Sequence, residues 1–398
     1  MTTDTRLPGR PAGARAPLLT KQFGLLLVSA AIFGLSFSAY FLLPKFLAVQ
    51  LSANASTIGS VSAIAWLASV VSVPLVGSLI DRHGRKRFSS LGAVLFAVAC
   101  AGFLIVDSVG PLLWILRILQ GFAFTFFYVS LSTLATDIAP PERLGQAIGL
   151  FGAVMISTNA VGPALAEWIA QQFGWAMVFG STVVAAGAGA LLVLLIPEQR
   201  RTRTRENPVS MLQVIRRPGL QRVLTVLVMV GVTFGGVFTF YQPWALTLGF
   251  AQVSTFLMAY AMAAMSVRVG LGGLADRLGR LRVAKAALLL YVCAPFALIW
   301  LDSLGLFLTG ALLGLAHGMF YPALNAVAVD YAPESERGKA MGAVHGAFNI
   351  GFAVGSYFLG ILAIATGYPT VFAVAGATCF FAFLILLGAP KLTPQESR

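Results

Sequence analysis

Acidic residues are scarce in this chain: 14 Asp and Glu stand against 27 Lys and Arg in 398 residues, and only 10% of positions carry charge. Ordinary soluble domains carry roughly 25% charge. With 58% hydrophobic residues and a mean hydropathy of +0.86, the chain cannot be wrapped into a soluble globule. Cysteine is nearly absent as well. Cys100, Cys293 and Cys379 fall singly inside apolar runs, so neither a disulfide framework nor a metal site is expected, and no cofactor is implied. The short alternation of apolar and polar residues that an outer-membrane barrel requires is also missing.

What is present is apolar length. A helix needs about 20 apolar residues to cross the hydrocarbon core, and twelve such stretches occur, near 22–49, 57–80, 88–106, 112–137, 144–169, 173–196, 221–248, 253–275, 283–301, 304–331, 338–364 and 368–389. In lipid their backbone must be helical. The expectation is an all-α integral membrane protein. Residues 1–21, with Pro8, Pro11 and Pro17, read as a flexible tail rather than a signal peptide, because the run that begins near Phe23 is long enough to span and stay.

One charged phrase occurs twice. Gly77-x-Leu79-x-Asp81-Arg82-x-Gly84-Arg85 returns as Gly272-x-Leu274-x-Asp276-Arg277-x-Gly279-Arg280, each time where an apolar run stops. Asp107-Ser108 pairs in the same way with Asp302-Ser303, and Tyr128, Asp137, Ala139-Pro140 and Gly162 with Tyr321, Asp330, Ala332-Pro333 and Gly355. The chain therefore reads as two pseudo-symmetric six-helix bundles, 22–196 and 221–389, joined by an Arg-rich linker, 197–220, and followed by a tail, 390–398. Parallel repeats of this kind are a transporter architecture. If both termini are cytoplasmic, every Lys and Arg except Lys45, Arg117 and Arg268 falls in cytoplasmic segments. This is the positive-inside bias, so the net charge of +13 reports topology and lipid contact and gives no support to nucleic-acid binding.

The doubled turn, together with Arg117-x-x-Gln120-Gly121 in helix four, closely resembles the major facilitator superfamily over about Lys21 to Pro390. Gly149 and Gly162-Pro163 in helix five are similar to the glycine-proline motif of its proton-driven antiporters, although Thr158, Ala166 and Glu167 stand where that motif has further glycines. The resemblance implies that the Asp81 and Asp276 carboxylates meet the N-termini of helices eleven and five, where a helix dipole stabilises an anion by up to ~2 kcal/mol. Gly84 and Gly279 permit a tight turn. Arg85 and Arg280 are placed to reach Asp137 and Asp330, pairs expected to latch the bundles together. These residues, with Gly77, Arg82, Gly272 and Arg277, form the expected gating set.

Charge inside a membrane is costly and faces a cavity or a partner. Lys45, after Pro44, either snorkels to water or is paired. Arg117 matches the family's helix-four arginine, tied to proton coupling; Arg268 in helix eight serves either structural pairing or substrate. Glu167 is the only acid within a span, either interfacial or functional. His317 and His345 titrate near neutral pH and are candidates to carry a proton, or are hydrogen-bonded between helices. Gln120, Tyr128, Tyr241, Tyr321 and Asn325 complete the substrate or coupling candidates. An aromatic interior with arginines and few acids suits small amphipathic, neutral or anionic organic molecules. The expected protein is a monomeric, multi-pass, proton-coupled exporter in a bacterial-type inner membrane, and no enzyme. Two alternatives stay open: an importer of an organic anion, and a receptor or assembly factor without transport.

Overall fold

The computed structural model describes residues 17–197, 209–270, 278–333 and 336–388, and among these the chain is helix and loop with no strand. Helix α1 runs over Lys21–Val49, broken by a 3-10 turn at Tyr40–Leu42 just before Pro44, whose missing N–H cannot continue the ladder. Then come α2 (Ala55–His83), α3 (Arg85–Gly102), α4 (Pro111–Ile138), α5 (Leu144–Phe173) and α6 (Trp175–Leu194). The second series is α7 (Pro218–Thr247), α8 (Ser254–Gly270), α9 (Arg280–Ala297), α10 (Ser303–Asp330), α11 (Arg337–Thr366) and α12 (Tyr368–Leu387). Eleven helices are long and apolar enough to cross a bilayer. The remaining one, α8, is described over 17 residues. Its expected continuation, with Gly272, Asp276 and Arg277, lies outside the described residues.

Local chemistry sets the helix ends. Thr20 and Asn54 cap α1 and α2 by accepting from the Phe23 and Thr57 amides at 3.2 and 2.9 Å, and Asp302 does the same for α10. Gly84 and Gly279 adopt φ of 102° and 94°, the conformation expected of them. A second repeated turn went unread in the sequence: Gly174 and Gly367 share φ 83° and ψ 170° between α5 and α6 and between α11 and α12.

Burial forms two cores. One gathers Phe23, Phe33, Phe96 and Phe127 from the first series; the other gathers Val230, Tyr291, Phe320 and Phe372 from the second. In the first half α4 packs on α2 and α3, and α1 on α5 and α6; in the second, α7 packs on α11 and α12, and α10 on α8 and α9. The halves meet chiefly through α2 against α11 and α5 against α8.

At the end carrying the basic turns, Arg85 Nε lies 3.0 Å from Asp137 Oδ2, and Arg280 Nη1 donates to Asp330 at 2.8 and 2.9 Å. The pairs form, but each ties neighbouring helices of one half, α3 to α4 and α9 to α10. In this arrangement each pair braces its own half. The linker is also anchored. Ser210 and Gln213 make a capping box on the short helix Met211–Ile215, Arg217 forks onto Glu336 at 2.9 and 3.0 Å, and Lys339 donates to the Val209 carbonyl.

Candidate functional site: an aromatic interior sealed at one end

At the end opposite the basic turns, the halves are joined by side chains on broken helix geometry. In an α-helix the Lys45 amide would bond to the Phe41 carbonyl. The interruption of α1 frees both, and Gln242 of α7 inserts between them: the Lys45 amide donates to Gln242 Oε1 at 3.2 Å, and Gln242 Nε2 donates to the Phe41 carbonyl at 2.5 Å. Beside this wedge, Lys45 Nζ donates at 2.5 Å to both Glu167 Oε1 and the Ala251 carbonyl. Glu167 in turn accepts from the Val253 and Ser254 amides at 3.0 and 2.8 Å. A carboxylate of the first half thus caps α8 of the second, where the helix dipole favours an anion. Lys45 is therefore paired rather than snorkelling alone, and Glu167, 3% exposed, belongs to an inter-half clasp.

Glycines record which end is closed. Gly59 of α2 lies so close to α11 that a Cβ would run into the Ser356 carbonyl and sit 3.2 Å from the Gly360 Cα. Towards the basic end of α2, α5, α8 and α11, Gly77, Gly149, Gly152, Gly270 and Gly346 have nothing within 4 Å of a Cβ position among the described residues. Among the described glycines, the close approach of α2 to α11 lies at the far end.

Between α1, α2, α3 and α4 lies a narrow pocket walled by Phe37, Trp66, Phe96 and Phe124. Arg117 and Gln120 enter it from α4, one turn apart on one face. The Arg117 guanidinium donates to Gln120 Oε1 at 2.7 Å and to the Val61 carbonyl at 3.2 Å. Both side chains are buried, and the Gln120 amide lies beside the Cys100 thiol.

The second half supplies a further cluster. The His317 ring stacks on Tyr321 at 5.2 Å and lies 5.0 Å from Phe234 and 5.7 Å from Phe348. Tyr321 Oη and His345 Nδ1 are hydrogen-bonded at 2.8 Å, tying α10 to α11. Arg268 stands within electrostatic reach of Tyr128, Tyr260, His317 and Tyr321, so the arginine of one half faces a tyrosine of the other. Its Nε, like His317 Nδ1 and Asn325 Oδ1, is buried without a hydrogen-bond partner. Tyr241 lies elsewhere, stacked on Phe256 at 4.2 Å in the sealed region. Gln242 was overlooked in the sequence; the signal for it was a lone amide beside Pro243 in an apolar run.

Such an interior defines a class, a multi-pass helical membrane protein with two halves around a partly polar, aromatic centre that is open towards one end. The family model for the Major Facilitator Superfamily matches residues 25–310 and 303–398, and the chain belongs to that superfamily of transporters. It is 23% identical over 378 residues to the staphylopine export protein of Staphylococcus aureus (strain Mu50), covering 91% of this chain and 94% of that one. It is 24% identical over 301 residues to the multi-drug resistance efflux pump PmrA homolog of Lactococcus lactis, covering 73% and 74%. Among solved structures, the nucleoside transporter NupG matches with a TM-score of 0.77 at 14% identity, and the human organic anion transporter MFSD10 (TETRAN) with 0.70 at 16%; each alignment covers 94% of this chain and 100% of the other. At such identities the structural likeness speaks for the fold alone.

Proposed function

We propose that the protein is a proton-coupled exporter of small amphipathic, neutral or anionic organic compounds, working by alternating access between its two halves. One observation carries the reading: Arg117 and Arg268 stand in an aromatic interior with no carboxylate partner among the described residues, whereas Glu167 is committed to Lys45 and α8. An unneutralised guanidinium surrounded by rings attracts anions and penalises cations. The geometry supports a state open to the cytoplasm, from which an exporter loads. The export and efflux relatives support the same direction. His317 and His345 are the groups we assign to proton coupling, since they place two imidazoles in the interior, one stacked on Tyr321 and the other hydrogen-bonded to it. The Asp81 and Asp276 turns then close the cytoplasmic end in the opposite state.

Proteoliposomes with an imposed pH gradient test this. Export predicts that an organic anion accumulates in an acid interior as protons leave; co-entry of anion and proton would establish the importer instead, and no flux of any compound would leave the receptor reading. His317→Ala and Arg117→Ala should move the pH profile of flux more than they lower expression. Unchanged profiles in both would remove the coupling assignment.

A further inference from the structure

We infer that the pocket in the first half is a subsite for a flat aromatic anion, a one- or two-ring system carrying a single carboxylate or an anionic group of similar shape. The proposal rests on the transporter reading above and narrows its substrate class.

The one charged group lining this pocket is a donor, the Arg117 guanidinium. Gln120 turns its carbonyl oxygen to Arg117 and its amide nitrogen towards the Cys100 thiol, a weak acceptor. Tyr40, 7% exposed, sets its hydroxyl beside Cys100 and Thr182. The Arg117 guanidinium, 9% exposed, is bonded only to neutral oxygens. The Ser69 and Thr125 hydroxyls are hydrogen-bonded to each other at 2.7 Å. No residue lining the pocket is acidic. A ligand satisfying this site must bring acceptor oxygens and negative charge.

Its apolar part must be flat. Phe37 and Phe124 stack at 4.0 Å with an angle of 18°, and Trp66 stands edge-on to both at 6.4 and 6.5 Å. Rings of this arrangement accept another ring face to face or edge to face. Trp66 also lies 4.9 Å from Phe352 of the second half. A molecule held here therefore touches the seam along which the halves move.

Ligand binding to the full chain in lipid nanodiscs, followed by calorimetry with 1-naphthoate, 1-naphthamide and 1-naphthylmethylamine, decides the matter. The carboxylate should bind roughly tenfold or more tightly than the isosteric amide, and the amine should be the weakest of the three. Arg117→Gln should erase that preference, Arg117→Lys should keep part of it, and Gln120→Leu should weaken naphthoate by roughly three- to tenfold. Equal affinity for acid and amide, or tightest binding of the amine, overturns the proposal. Should Arg117→Gln fail to fold, the three wild-type affinities decide alone. Failure here is separable from failure of the transporter reading: flux of organic anions without any naphthoate preference sinks the subsite only, and naphthoate preference without flux sinks only the transport.

Discussion

Glu167 shows how a residue can change meaning once its neighbours are known. In the sequence it is one carboxylate in an apolar helix, equally suited to a proton relay or an interfacial position. In space it receives an ammonium and two backbone amides, all from groups that would otherwise be unsatisfied at the far end. Those partners lie more than eighty residues away in the chain, so no local pattern announces them. Removing one member of such a set leaves buried charge uncompensated. Glu167→Gln keeps one acceptor but loses the pairing with Lys45, which should cost the closed state about 1–3 kcal/mol. The occupancy of the state open at the far end then rises roughly five- to hundredfold. A Trp66→Cys reporter, in a chain with the three native cysteines replaced by serine, measures this. Its labelling by an impermeant thiol reagent from the far side should accelerate by a similar factor, and an unchanged rate would show that the clasp does not hold that end shut.

At the level of the helix, the spans were legible because lipid demands long apolar runs with intact internal hydrogen bonds. The break in α1 was not, although Pro44 marked its place. Its consequence, Gln242 standing between the Phe41 carbonyl and the Lys45 amide, depends on a helix from the other half. Close approach was likewise only half readable. Thr158 stands where a glycine was expected, and the missing room is supplied from the facing helix, since a Cβ on Gly34 would come within 2.7 Å of the Thr158 hydroxyl. Gly162 rests against Ser38 of α1. The firmest helix-level prediction concerns Gly59, whose new side chain would strike backbone that cannot move aside. Gly59→Val should insert normally but lose nearly all flux, overpacking costing about 1–3 kcal/mol against far-end closure. Gly187→Ala, with nothing near its Cβ position, should transport as wild type. Gln242→Leu, which leaves both freed backbone groups of α1 unpaired, should lower the thermal midpoint of the purified protein by several degrees.

For the whole molecule, the duplicated turns announced two halves because duplication survives in charged and glycine positions that geometry constrains. The contacts between the halves are where that symmetry fails. The far-end seam is built from a carboxylate on one side, Glu167 capping α8, and from bare backbone on the other, Gly59 against Gly360. Two seams of different chemistry let one respond to charge while the other acts as a smooth bearing, a division that repeated sequence cannot reveal. If transport requires the halves to rock about the centre, then joining them at the far end must stop it. Lys45 Nζ lies 2.5 Å from the Ala251 carbonyl across this seam. In a chain with the native cysteines replaced by serine, the pair K45C and A251C, bridged by a short bifunctional thiosulfonate, should lose at least nine-tenths of its flux and recover it on reduction. Each single variant treated with the same reagent should keep the activity it had before treatment. Flux that persists through the bridged pair would mean that the far end stays closed throughout the cycle, and alternating access of the two halves would have to be abandoned.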